Sequence, residues 1–432
     1  MRVRSGAKRK LGAIAASLAL MTSASAVVLT AVASTPAGAT TTTVTNTLDD
    51  GLESSLRAVL EDAGDGDVIE LVPGATYQLT RCVESGEVGS QITSSVGELR
   101  VFEAVTINGN GATIEQTCPS WRVIHTQADL TINDLTITGG TSTRGGGGGI
   151  RVDSSLLSAD APSAQQTLDQ LVIRNSSIVG NCTSSNGGGF KMNTEGEVTI
   201  INSTIAGNAS SNVGGGFSHS HTGDVLMVNS TVTGNSSEDH AGVDVRGGNF
   251  TALYSDIVGN TAGVSSGSCG VDRASVDPED EPVSGAFVAA ANVFVNPEFD
   301  FFAFGTVVAK PGEAANCSAE TSSLGYNFAD DESCAFLDPS DKQGTGSGFD
   351  PMLGTLASNG GPTQTLLPQT GSPLIDAIPK ASCGAADVEA GFAITTDQRG
   401  FVRPDVVNQK CDIGSVEVQT EVPPVIQPTF TG

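Results

Sequence analysis

Apolar and polar residues in the middle of this chain alternate at a spacing of two, in short runs that recur almost letter for letter. LTINDLTITGG begins at Leu130, LVIRNSSIVGN at Leu171, VTIINSTIAGN at Val198, VLMVNSTVTGN at Val225 and FTALYSDIVGN at Phe250. Their starts lie 41, 27, 27 and 25 residues apart. A recurring unit of this size with strand alternation describes a supersecondary element that buries its apolar face only against copies of itself. Within VTIINSTIAGN, Val198 and Ile200 point inward, Asn202 and Ser203 turn the chain, Ile205 returns to the core, and Gly207-Asn208 turns it again. Val225, Met227, Asn229 and Val232 take the same roles one copy later. Strands of three to five residues form no stable hairpin alone, so the copies are expected to stack in parallel as coils of a solenoid.

The flanking pattern fits around this stack. VFEAVTINGNGATI, Val101 to Ile114, reads as an earlier, less regular coil. The long first interval predicts a loop leaving the stack over roughly 153–169. Leu52, Leu56, Val59 and Leu60 repeat at helical spacing and predict a short amphipathic helix over Leu52 to Ala63 that covers the open end. From about Val276 to Asn316 the period is lost, and Phe287, Val288, Val293 and Val295 suggest one or two further irregular coils.

Asn and Gly stand at the turns because both tolerate left-handed backbone. The columns Asn175, Asn202, Asn229 and Asn181, Asn208, Asn235, Asn260 are expected to stack as side-chain amide ladders. Asn175, Asn181, Asn202, Asn208, Asn229 and Asn235 also sit in N-x-Ser/Thr sequons. Turn geometry already requires Asn there, so the ladder is the preferred reading over glycosylation.

The chain begins with Arg2, Arg4, Lys8, Arg9 and Lys10, an apolar stretch from about Leu11 to Ala33, and Ala37-Gly38-Ala39 before Thr40. This is the pattern of an export signal over 1–39, with a membrane anchor as the alternative, and no later run has the length of a spanning helix. The formal charge is −27. Without the five basic leader residues, Lys+Arg falls from 21 to 16 against 48 acids, a charge of −32. Such a surface repels nucleic acid and anionic lipid; it also repels acidic polysaccharides unless divalent cations bridge them.

Eight cysteines in an exported chain imply disulfides. Spacing favours Cys82 with Cys118, Cys317 with Cys334 and Cys383 with Cys411. Cys182 and Cys269 fall in equivalent turns three coils apart. At about 4.8 Å per coil their backbones would be roughly 14 Å apart, beyond the ~7 Å reach of a disulfide. Either a loop bends to bring them together or they are not a pair.

Three resemblances add to this reading. SSLRAVLEDAGDGDVIELVPGATYQLT, with Ser55-Leu56-Arg57-Ala58, is similar to the Cys-Ser-Leu-Arg-Glu-Ala segment that opens many exported bacterial β-helix proteins, with Ser54 for the Cys and Ala58 for the Glu. LGYNFADDESCAF, DPMLGTLASNGGPTQTLLPQTGSPLIDAIP, TDQRGFVRP and CDIGSVE together resemble the choice-of-anchor Q domain from about Ser323 to Glu417. The middle repeats resemble the right-handed parallel β-helix repeats of polymorphic outer-membrane and pectate-lyase-like proteins. These resemblances imply an exported protein displayed at the cell surface, and they transfer no catalytic residue. The closing VQTEVPPVIQPTFTG has no sorting pentapeptide, apolar tail or basic stop, which leaves release open beside anchoring.

The expected architecture is therefore all-β: a right-handed parallel β-helix with a short N-terminal capping helix and irregular C-terminal coils. Its divisions are a signal (1–39), a cap with the first strands (40–98), the repeats (99–275), irregular coils or loop (276–322), the anchor-like region (323–417) and a tail (418–432).

Candidate chemistry centres on the fourth repeat. Three repeats place glycines before the last strand (Gly147 to Gly149, Gly187 to Gly189, Gly214 to Gly216), whereas this one has His240-Ala241-Gly242. Asp239 precedes His240, and Asp244 and Arg246 follow. By register, Arg151, Lys191, Ser218 and Asp244 form one outward column, and Asp153, Asn193, Ser220 and Arg246 the next. His240 with Asp239 or Asp244 has the makings of a general base and its orienting carboxylate, with Lys191 beside them. Arg151, Lys191, Asp244 and Arg246 are candidate ligand-binding residues. The competing reading is a solvated strand face whose opposite charges relieve repulsion. His219 follows the alternation inward.

Large rings for stacking on sugars are scarce, with Trp121 the one Trp and three Tyr. No carboxylate pair can be set on one groove as glycoside hydrolysis requires. Asp277, Glu279, Asp280 and Glu281 are the acidic run nearest a calcium site, in a Pro-containing loop. His/Cys metal spacing, a phosphate loop and a Gly-x-Ser-x-Gly nucleophile are absent. The expected function is an exported binding or structural β-helix, adhesin-like, toward cell-surface or environmental polysaccharide, with no cofactor beyond a possible calcium. The alternative is a polysaccharide lyase or glycoside hydrolase using the outward columns. Oligomeric state is not readable from the chain.

Overall fold

A computed structural model describes residues 38–82, 96–143, 145–153, 170–264, 290–318 and 321–420. The expected export signal (but for its last two residues), residues 154–169 of the expected loop, Cys269, the acidic run at 277–281 and the end of the expected tail lie outside the described residues.

The repeats coil as a parallel β-helix, with the right-handed sense that parallel crossovers take. Like strand segments of successive coils stack into walls, three of them long and one short. The first wall runs through Thr41–Val44, Asp67–Leu71, Val105–Gln116, Leu130–Thr138, Leu171–Arg174, Val198–Ile201, Val225–Val228, Phe250–Leu253, Phe301–Phe304 and Thr321–Gly325. Leu130, Leu171, Val198, Val225 and Phe250 pair directly, as the repeat alignment requires. The second wall stacks Ile137, Ile178, Ile205, Val232, Ile257 and Val308. The third is short, with Thr141–Ser142, Cys182–Thr183 and Ala209–Ser210. The fourth contains Leu99–Val101, Ile124–Thr126, Ile150–Val152, Phe190–Met192, Phe217–Thr222, Val243–Gly247, Ala290–Val295 and Ala315–Cys317.

Inward positions are filled with Ile, Val, Leu and Phe and have almost no exposure. Each such side chain contributes about 1.5–3 kcal/mol by leaving water. Phe190 stacks on Phe217 at 4.7 Å and Phe250 on Phe301 at 5.1 Å, so the rungs repeat their ring positions as well as their backbone.

The turn between first and second walls is left-handed on successive coils: Asn110, Asp134, Asn175, Asn202, Asn229 and Tyr254 all have φ between 46° and 52°. Asn202 Nδ2 donates to Asn175 Oδ1 at 3.2 Å, but Asn229 Nδ2 donates to Thr396 O at 2.8 Å. That ladder is therefore broken at Asn229, because the C-terminal region reaches the wall there. The other ladder is continuous and longer than the sequence suggests. Each Nδ2 donates to the Oδ1 of the next coil from Asn181 to Asn208, Asn235, Asn260, Asn292 and Asn316, at 2.6 to 3.1 Å. These six amides are fully enclosed.

The solenoid continues beyond the last clear repeat. Phe250 pairs with Phe301, 51 residues on, and Phe301 with Thr321, 20 residues on. Register survives while spacing does not, which is why periodicity fails between 276 and 316. Further rungs at Phe328–Ala329 and Lys342–Gln343 place the stack's end well past residue 323.

The capping helix covers Leu56–Glu61, shorter than Leu52 to Ala63, and Ser55 Oγ accepts from Ala58 N at its start. Leu52 is 61% exposed instead of packed. Asp50 Oδ1 accepts from Leu52 N, and Asn46 bridges to Ser55, so a side-chain-knitted turn occupies the residues before the helix.

After Gln343 the chain returns along the outside of the first two walls. An antiparallel hairpin, Leu353–Ala357 with Thr365–Pro368, and irregular segments to Glu417 pack there. Leu366, Leu374, Ile378, Ile394 and Ile413 meet outward-facing Val228, Leu253, Tyr254, Val258, Phe304 and Val307 in a second core.

Cys82–Cys118, Cys317–Cys334 and Cys383–Cys411 are disulfides. Cys182 is also disulfide-bonded, so the distance objection to its pairing fails. Its partner lies outside the described residues.

Candidate functional site

The fourth wall carries the charged residues. Its inward side chains include Ile124, Ile150, Phe190, Phe217, Val243 and Val293, and strand alternation puts the next residue of each on the other side. Arg100, His125, Arg151, Lys191, Ser218, Asp244 and Phe294 follow one another in register along the coil axis.

The column keeps the expected register but not the expected exposure. Arg151, Lys191, Ser218 and Asp244 are 4%, 0%, 0% and 0% exposed. The glycine-rich turn before each strand lies against the column. Gly147, Gly187 and Gly214 have φ of 76°, 70° and 65°. A Cβ on Gly187 would lie 2.2 Å from Phe190 O, and one on Gly146 only 2.4 Å from Lys191 Cδ. Only glycine lets the backbone lie this close.

His240 stands where Gly214 stands one coil earlier. Val213 bridges to Asp239, and Gly214 N donates to His240 O, one residue further along than the acceptor that Gly187 N meets at Val213 O. His240 has φ 53°, a left-handed conformation that costs a non-glycine residue about 1 kcal/mol or more. Two contacts hold it: Nδ1 lies 3.0 Å from Asp244 Oδ1, and the ring stacks on Phe294 at 3.9 Å between centroids.

Asp244 also accepts from Ser218 Oγ at 2.8 Å and from Arg246 Nε at 2.9 Å. Burial works against its charge, but the Arg246 guanidinium and His240 outweigh it and hold the carboxyl at about 2. Asp239 is not part of the cluster. It is exposed, and its backbone bridges to Val213. Of the expected pairs, the structure brings His240 to Asp244 and Asp244 to Arg246.

A second cluster, absent from the sequence reading, occupies the N-terminal end of the same wall. His125 Nδ1 lies 3.2 Å from Glu98 Oε1 and its Nε2 2.8 Å from Asp153 Oδ1. Arg151 Nε donates to Asp153 Oδ2, and Arg122 Nε lies 3.4 Å from Glu98 Oε2. Burial raises the Glu98 carboxyl, but Arg122, His125 and Arg100 bring it down to about 2; burial lowers Arg122 to about 10. The sequence signal was the alternation Leu99-Arg100-Val101 and Ile124-His125-Thr126. Those coils lack the repeat motif, so register could not be assigned to them.

His219 points inward as expected, with Nε2 3.0 Å from Gly196 O, and burial lowers its basicity. Among the described residues no group of three or more His, Cys, Asp or Glu is arranged to hold a metal ion. The carboxylates of the wall are engaged by Arg and His.

No family model matches the chain, and no curated protein matches it. Among solved structures, pectate lyase Pel9A aligns over 88% of this chain and 97% of its own, with 11% identity and a TM-score of 0.45.

Proposed function

We propose that the protein is an exported, non-catalytic β-helix that binds neutral polysaccharide at the cell surface or in the surrounding medium. The observation that supports this reading is the enclosure of the charged column. His125, Lys191, His240 and Asp244 are buried, and the imidazoles and carboxylates are engaged by one another and by arginines, which suits a structural spine better than a groove for substrate. The outer faces of the first two walls instead offer half-buried Thr131, Asn133, Thr136 and Thr138 at strand spacing, hydroxyl and amide groups suited to an extended glycan. The acidic balance of the chain selects against anionic polymers. Disulfides are in keeping with an oxidising exterior. No helix among the described residues is long and apolar enough to cross a membrane.

One contact favours the enzyme alternative: the His240–Asp244 pair has the distance of a base and its orienting carboxylate. A panel of cell-wall and plant polysaccharides, with and without calcium, separates the readings. Binding predicts retention of a neutral glycan with no new reducing ends or unsaturated sugars. Product formation that disappears in His240→Ala and Asp244→Ala would overturn it in favour of a lyase or hydrolase.

A further inference from the structure

The C-terminal region is fastened to the solenoid through carboxylates that lack matching cations. Asp256, on the second wall, faces Ser415 and Gly414. Ser415 Oγ and N donate to its Oδ2 at 2.5 and 3.3 Å, while Oδ1 is buried with no hydrogen-bond partner. A Cβ on Gly414 would lie 2.5 Å from that Oδ1, so the strand and the returning chain are in direct contact.

Two more acids flank the contact. Glu417 accepts from the backbone N of Asp405 and of Asp412, both at 3.0 Å, and lies 3.2 Å from Arg403 Nε. Asp412 accepts from Asp376 N and Val418 N, both at 2.6 Å. Arg403 also lies over the Tyr254 ring at 4.0 Å, and the Tyr254 hydroxyl donates to Cys383 O. The other guanidinium nearby, Arg399, is bound to Asp397, which accepts from Glu417 N. Asp387 and Asp376 add further negative charge around Tyr254 and Asp412. Arg403 therefore answers for Asp256, Asp412 and Glu417 together.

We propose that the C-terminal region is an acid-seated strap, held on the outer face of the solenoid while Asp256 retains its proton and loosened as that carboxyl ionises beside the further acids Asp412 and Glu417. An orphaned buried carboxylate oxygen is tolerable on a neutral acid and costly on an anion. Burial, the largest influence in each case, raises Asp256 and Asp412 to about 6 and Glu417 to about 7. Because these values lie above those of the released chain, the seated form holds extra protons between about pH 4 and 7. Its advantage is complete below about pH 4 and is lost progressively as pH rises from there to about 7. Release would uncover Val228, Leu253, Tyr254, Phe304 and Phe328, an apolar strip along the walls.

Hydrogen exchange of the full chain, corrected for intrinsic rates, tests this at pH 5 and pH 8. Exchange over 353–368 and 394–417 is expected to quicken of order tenfold at pH 8, while Val105–Gln116 and Leu130–Thr138 stay unchanged. Asp256→Asn, neutral at either pH, is expected to shrink the difference. Equal protection at both pH values overturns the strap, and so does parallel loosening of the control strands. A variant whose difference equals that of the parent overturns it as well.

Discussion

Asn208 shows how much one turn residue carries. Its Nδ2 donates to Asn235 Oδ1 and to Ile178 O, while its Oδ1 accepts from Asn181 N and Nδ2. Asn208→Ala removes all four bonds and leaves buried donors and a carbonyl unanswered, at a cost of about 2–4 kcal/mol. Asn175→Ala, at a half-exposed turn, is expected to cost about 1 kcal/mol or less. Denaturant melts of the two variants check the contrast. The same enclosure bears on the sequons, since Asn181, Asn208 and Asn235 are inaccessible once the coils have stacked. His240 is the complementary case, a side chain kept in a conformation that the other coils give to glycine. His240→Gly relieves the backbone and His240→Ala does not, although both lose the Asp244 and Phe294 contacts. The glycine variant is expected to be the more stable of the two by about 1 kcal/mol, read from thermal unfolding.

At the scale of the element, legibility followed repetition. Leu171, Val198, Val225 and Phe250 sit where alternation and period put them, because each strand's partner is its own copy. The amide ladder was legible only as far as Asn260. Asn292 and Asn316 extend it through coils whose lengths differ, which a fixed period cannot find. Exposure was not legible. Alternation correctly set Lys191 and Asp244 opposite the core, but nothing in alternation says that a glycine turn lies against the column. Glu98 and His125 were missed for the related reason that the early coils have no motif to fix their register. Their energetics give a prediction. Glu98 and Asp244 are held at about 2 in the fold, below ordinary carboxylates, so their contribution is present near pH 5 and lost as pH falls from about 4 toward 2. Glu98→Gln is expected to flatten that acid limb in a Tm-against-pH series.

For the whole molecule, two groups of buried acids respond to pH in opposite directions. The fourth wall weakens below about pH 4, and the strap weakens as pH climbs from about 4 to 7. Greatest stability is expected at about pH 4 to 5, with Tm falling on either side. This arrangement ties a C-terminal region of irregular segments to a regular stack through Tyr254, Asp256 and the apolar face around them. The proposed glycan surface is the polar N-terminal part of the first two walls. The closed state of the charged column is the premise of that reading, and lysine labelling tests it most directly. Acetylation of the native protein, followed by peptide mass spectrometry, is expected to modify Lys310, 45% exposed on its side chain, and exposed Lys380, while sparing Lys191 until the chain is unfolded. Lys191 reacting as fast as Lys310 in the folded protein would mean an open groove, and would contradict the account.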